Sequence, residues 1–120
     1  MSVKSVCAVV CRPPVGNRDS WEIMRFSLGL LAGDLDYRLV FAGDGVYHVL
    51  EDLPPKTPEG RDSVQRLLED SLDFDVEVYA VEEDLAARGL QPRDVAARVE
   101  VIPARRVAEL IRQADATYFI

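Results

Sequence analysis

The sequence predicts an α/β fold: a single three-layer α/β/α domain, residues 1–120, built on a mostly parallel five-stranded sheet. Three observations carry that expectation. Five short apolar segments alternate with stretches whose apolar residues recur at helical spacing. No Asn-Gly-type two-residue hairpin joins any strand pair, which favours crossover connections and parallel neighbours. A chain of 120 residues, 48% hydrophobic and 29% charged, is also long enough to bury a core without disulfides or metal.

Ser5–Cys11 is a continuous apolar run, the signature of a strand covered on both faces. Residues 12–17 form a loop. Asp19 with Glu22 three residues on reads as an N-cap and capping box. Trp21, Met24, Leu28 and Leu31 then line one face of a helix that Ala32-Gly33 stops. Tyr37–Ala42 is the second strand. It breaks at Gly43-Asp44-Gly45 and passes into a short helix with Val46, Val49 and Leu50 at helical spacing. Pro54, Pro55 and Pro58 stiffen the next linker. Thr57-Pro58 caps a long helix whose apolar face is Val64, Leu67, Leu68 and Leu72. Val76–Val81 is the third strand and Glu82–Arg88 a short helix ended by Gly89. Val99–Ile102 is the fourth strand. Pro103 opens a helix with Val107, Leu110, Ile111 and Ala114 on one face, and Thr117–Ile120 is the last strand.

No run approaches the ~18 apolar residues of a membrane span. Met1-Ser2-Val3-Lys4 leads straight into a strand pattern rather than a signal peptide, so a cytoplasmic location is expected. The net charge of −7 is unevenly spread: residues 51–84 hold 12 acids against 3 bases, while residues 85–120 hold 6 arginines against 4 acids. An acidic middle argues against direct nucleic-acid binding, which needs clustered Lys and Arg. It reads as solvated helix faces or as a charge-complementary docking surface.

Cys7 and Cys11 lie on one face of one extended segment, about 13 Å apart at ~3.3 Å per residue. That is too far for a disulfide, and two thiols with one distant histidine make no zinc pattern. Both are expected to be reduced, and no cofactor or metal is expected. Phosphate-loop, dinucleotide, nucleophile-elbow and metalloprotease signatures are absent. Three side chains remain as candidates. Cys11 closes the first strand ahead of a helix N-terminus, a setting that favours a thiolate, or it is simply a small residue ending a buried strand. Asp44 is either a ligand-facing acid or the cap of the short helix. His48 is either an acid–base group or a surface or interface residue of that helix.

The opening strand and loop, the segment Phe41-Ala42-Gly43-Asp44-Gly45-Val46-Tyr47-His48-Val49-Leu50, the segment Leu85-Ala86-Ala87-Arg88-Gly89-Leu90 and the ending Leu110–Ile120 together resemble the DsrE/DsrF-like family of small sulfur-relay proteins, nearest the DsrF/TusC-type subunit. The resemblance implies a three-layer α/β/α fold and assembly into homo-oligomers or hetero-oligomers of related subunits. In such complexes the DsrE/TusD-type subunit passes sulfur as a cysteine persulfide. TusC-type complexes serve tRNA 2-thiouridine formation and Dsr-type complexes serve sulfur oxidation. Counting back from Arg88-Gly89, the relay cysteine should fall at Val81, followed here by Glu82, Glu83 and Asp84. Valine cannot form a persulfide, and three acids disfavour a neighbouring anion. The resemblance therefore implies a subunit that supports sulfur transfer by assembly or docking, without independent catalytic activity. The alternatives are a sulfur acceptor using Cys11 and a small-molecule-binding regulatory module at the Asp44/His48 turn.

Overall fold

A computed structural model describes residues 4–12, 36–50 and 76–119. The helices expected around Trp21 and Leu67, with the linkers beside them, lie outside the described residues. The strands are β1 (Ser5–Val10), β2 (Asp36–Phe41), β3 (Glu77–Val81), β4 (Glu100–Ile102) and β5 (Ala116–Phe119). The described α-helices are α1 (Glu82–Ala87) and α2 (Ala104–Gln113); Gly43–Val49 and Pro92–Asp94 are 3-10 segments. Each expected strand is present, with ends moved by a residue: Cys11 and Ala42 fall just past β1 and β2, and β5 begins at Ala116.

The sheet order is β4-β3-β2-β1-β5, and all four pairings are parallel. Successive strands march outward from β1 to β4, and β5 then returns to the other side of β1. The order therefore reverses at β1, and in open parallel sheets ligand crevices form outside the carboxyl ends of strands at such a reversal.

Register sorts the core into two layers. Val6, Ala8 and Val10 are level with Tyr37, Leu39 and Phe41, and these join Val78, Ala80, Val46, Val49 and Leu85 on one face. Cys7, Val9, Val40, Tyr79 and Val81 lie on the other, against Ile102 and Leu110. Val6 to Val10 are all buried, which explains why β1 reads as an unbroken apolar run. On α2, Val107, Leu110, Ile111 and Ala114 recur at three- and four-residue spacing, so one stripe packs on the second layer. Pro103 sits at the N-cap in extended geometry, one position before the helix proper.

The Arg88-Gly89-Leu90 segment ends α1 by a two-bond cap. The Gly89 N–H donates to the Ala86 carbonyl at 3.1 Å and the Leu90 N–H to the Leu85 carbonyl at 2.9 Å. Gly89 has φ +70°, the left-handed conformation that this cap requires. At the opposite end of the sheet, the Asp115 carboxylate accepts the N–H groups of Lys4 and Ser5 at 2.8 and 3.0 Å, tying the start of β5 to β1.

Candidate functional site

The carboxyl ends of β1, β2 and β3 bring Cys11, the Gly43-Asp44-Gly45 turn and the first turn of α1 together. The turn packs directly on the end of β1. The Ala42 N–H donates to the Val10 carbonyl at 3.0 Å, and a Cβ on Gly45 would lie 1.9 Å from that same oxygen. Only glycine fits there.

Asp84 and Arg88 of α1 hold the turn from the other side. The Gly43 N–H donates to Asp84 Oδ2 at 2.8 Å. Arg88 donates from Nε to Asp44 Oδ1 at 3.0 Å and from Nη1 to the Asp84 carbonyl at 3.0 Å. Asp44 therefore does not cap the segment that follows. The N-cap is Ala42, without a side-chain bond, and the Asp44 carboxylate turns outward to Arg88. With Asp44 more than half exposed, that ion pair contributes at most about 1 kcal/mol.

His48 departs from the surface or interface position expected of it: it is fully buried. The reason is the tighter winding of Gly43–Val49. With three residues per turn, positions three apart eclipse. Asp44, Tyr47 and Leu50 therefore share the outer side, while the pairs Gly45/His48 and Val46/Val49 turn inward. A 3.6-residue period would have buried Leu50 and left His48 outside. The Nε2–H of His48 donates to the Arg12 carbonyl at 2.9 Å, and the ring stacks at a tilt on Phe41, centroids 5.2 Å apart. A carbonyl only accepts, so the proton sits on Nε2, and the buried Nδ1 has no partner among the described residues. Burial pushes its pKa down to about 4, against a smaller upward pull from the Arg12 carbonyl. Asp44 and His48 thus lie on opposite sides of one turn and do not converge on a common ligand position.

Cys11 is exposed and Cys7 buried, and both thiols are free. Partial desolvation raises the Cys11 thiol above its ordinary pKa, and the negative charge of Asp84 raises it further. Continuing the register Val10–Phe41–Ala80 by one residue sets Cys11, Ala42 and Val81 at one level. Cys11 is then two strands from Val81, about 10 Å at ~4.8 Å per strand. Val81 itself is buried against the second core layer.

Two of the acids after Val81 have partners, distant in sequence, that the sequence did not reveal. Glu83 accepts the Ala104 N–H through both carboxylate oxygens, at 2.9 and 3.2 Å, which seats the start of α2. Asp84 holds the Gly43 N–H, and all three acids favour the positive end of α1. The Asp-Gly and Arg-Gly segments are far apart in sequence, so only their joint recurrence in a resemblance hinted that they meet.

The family model described as DsrE/DsrF-like matches residues 4–119. The chain belongs to the DsrE/DsrF-like family. Among solved structures it is similar to the YchN protein of E. coli, with a TM-score of 0.87 and 21% identity over 98% of this chain and 99% of that one. A protein of unknown function from Methanobacterium thermoautotrophicum superposes with a TM-score of 0.72 and 14% identity, covering 99% of this chain and 100% of that one. One from Bacteroides thetaiotaomicron gives 0.69 and 14%, covering 98% and 95%. At these identities the likeness is one of DsrE/DsrF-like fold. No curated protein matches the chain. No described helix is long and apolar enough to cross a membrane.

Proposed function

We propose that this DsrE/DsrF-like protein is a non-carrying, DsrF/TusC-like subunit that supports intracellular sulfur transfer by assembly or docking with itself or with related subunits. The observation that carries the reading is Val81: a buried valine ends β3 where the family resemblance expects the relay cysteine, and the turn after it is acidic. Two of those acids, Asp84 and Glu83, hold Gly43 and Ala104, so they serve the architecture of this edge. In this reading Cys11 stays a thiol, because partial desolvation and Asp84 both oppose its ionisation.

The test is sulfur loading. The chain is incubated with a cysteine desulfurase and L-cysteine, then measured by intact-protein mass spectrometry under non-reducing conditions. The expected spectrum shows no added sulfur atom. Stoichiometric uptake refutes the reading.

A second reading has one observation in its favour: Cys11 is exposed at the strand where the sheet order reverses. As an acceptor, the Cys11 thiolate would attack the outer sulfur of a donor persulfide, the donor leaving as its thiolate and the sulfur remaining on Cys11. This reading requires Cys11 to alkylate much faster than Cys7 near neutral pH, and Cys11→Ser to abolish loading. Equal, slow alkylation of both thiols in the folded chain eliminates it.

A further inference from the structure

Cys11 and Arg12 are exposed, yet the backbone that carries them is held from beneath at three points. The Ala42 N–H donates to the Val10 carbonyl at 3.0 Å, and Gly45 approaches that carbonyl too closely for any other residue. Beyond Cys11, the Nε2–H of His48 donates to the Arg12 carbonyl at 2.9 Å. Cys11 therefore stands between two carbonyls, each fixed by the segment Gly43–Val49. It also lies against that segment itself: a Cβ on Gly45 would be 3.4 Å from the Cys11 Cα.

Two of these anchors are backbone and the third is a side chain. A fully buried imidazole leaves its Nδ1 without a partner among the described residues, a penalty that leucine or phenylalanine in the same place would avoid. What histidine supplies there is the Nε2–H, and the Arg12 carbonyl takes it. The anchor matters because of what faces the thiol. Asp84 is fixed on Gly43, whose N–H donates to Oδ2 at 2.8 Å, and a Cβ on Gly43 would be 3.7 Å from the Cys11 carbonyl oxygen. The carboxylate and the Cys11 backbone are thus docked on one residue. Of the charged side chains at this edge, Arg12, Asp44, Asp84 and Arg88, it is Asp84 whose charge acts on the thiol.

We propose that His48 is a positioning residue for Cys11: through the Arg12 carbonyl it holds the thiol beside the Asp84 carboxylate and so sets how readily the thiol reacts. The inference rests on the reading in which Cys11 stays a thiol, and it names what keeps it one. With the anchor in place, the sulfur must ionise facing a fixed negative charge. Without it, the chain after Val10 moves into solvent, away from Asp84, and Cys11 ionises like an ordinary cysteine.

Iodoacetamide labelling of the full chain over a neutral to alkaline pH series, read by peptide mass spectrometry, follows Cys11 and Cys7 separately. His48→Leu removes the donor and keeps an apolar filling. Cys11 should then react about threefold or more faster at pH 7.5, with its rate profile moved to lower pH. Cys7, buried on the same strand, reports general loosening and should stay slow. His48→Gln, whose amide can still donate to the Arg12 carbonyl, should keep the wild-type profile. Asp84→Asn should also accelerate Cys11, and His48→Leu added to it should change little, because the anchor acts through that charge. If His48→Leu loses its circular-dichroism spectrum, His48→Asn, whose shorter amide does not reach the Arg12 carbonyl, takes its place. An unchanged Cys11 profile in the folded variant, a gain matched by Cys7, a Gln variant as fast as the Leu variant, or full additivity with Asp84→Asn overturns the proposal. Sulfur loading of the wild type would instead overturn the non-carrying reading, a result that these labelling rates do not share.

Discussion

His48 should make the stability of this protein fall steeply on mild acidification. Its pKa is about 4 in the fold against 6.5 as the ordinary value, because the ring is fully buried. Between those two values the unfolded chain binds a proton that the folded chain refuses. The sign follows: the stabilisation is fully present above pH 6.5, declines as pH falls below it, and levels off below pH 4. At about 1.4 kcal/mol per tenfold difference in proton affinity, the full effect is about 3 kcal/mol, of which about 2 kcal/mol is already lost at pH 5. That is a large part of a typical folding free energy of about 5–15 kcal/mol. Urea denaturation at pH 7.5, 6 and 5, at one protein concentration, measures it. The comparison is His48→Gln, whose amide nitrogen can still donate to the Arg12 carbonyl but does not titrate. Carboxylates such as Glu77, held low mainly by its bond from Arg38, contribute equally to both proteins and cancel. Wild type should lose about 2 kcal/mol more than the variant between pH 7.5 and 5. Parallel losses, or an imidazole NMR titration midpoint near 6.5 in the folded wild type, would refute the reasoning.

Three other perturbations probe the same architecture. Gly45→Ala forces a Cβ to within 1.9 Å of the Val10 carbonyl and should cost about 3 kcal/mol or more by urea midpoint; a loss under about 1 kcal/mol would mean that the turn does not pack on β1. Leu110→Ala, opening a void between α2 and the sheet, should cost about 2–5 kcal/mol in the same assay, and a near-neutral result would contradict its burial. Asp84→Asn keeps an acceptor for the Gly43 N–H but removes the charge that raises the Cys11 thiol. Iodoacetamide should then label Cys11 faster at pH 7.5 while Cys7 stays slow; an unchanged Cys11 rate would show that Asp84 does not act on it.

Much of the strand pattern was readable in advance, and the reasons are local. Val6 to Val10 are apolar because both sheet faces are covered, and residues 39–41 repeat that logic. α2 declared itself through its single apolar stripe. The winding of Gly43–Val49 was not readable, since Val46 and Val49 fit a 3.6-residue or a three-residue period equally well. That ambiguity decided the fate of His48. The partners of Asp44, Glu83 and Asp84 were also hidden, because each is contributed by an element distant in sequence: Arg88, Ala104 and Gly43.

Local pattern was enough to predict a parallel α/β sheet with glycine turns at its carboxyl edge. Periodicity and turn chemistry act between near neighbours, so a linear string carries them. Tertiary packing decided the rest. It placed β5 beside β1, sealed His48 beneath the turn, and set the charge of Asp84 to act on Cys11. These outcomes depend on which chain segments meet across the sheet, and on how much water each contact excludes. Neither quantity is written into any one segment.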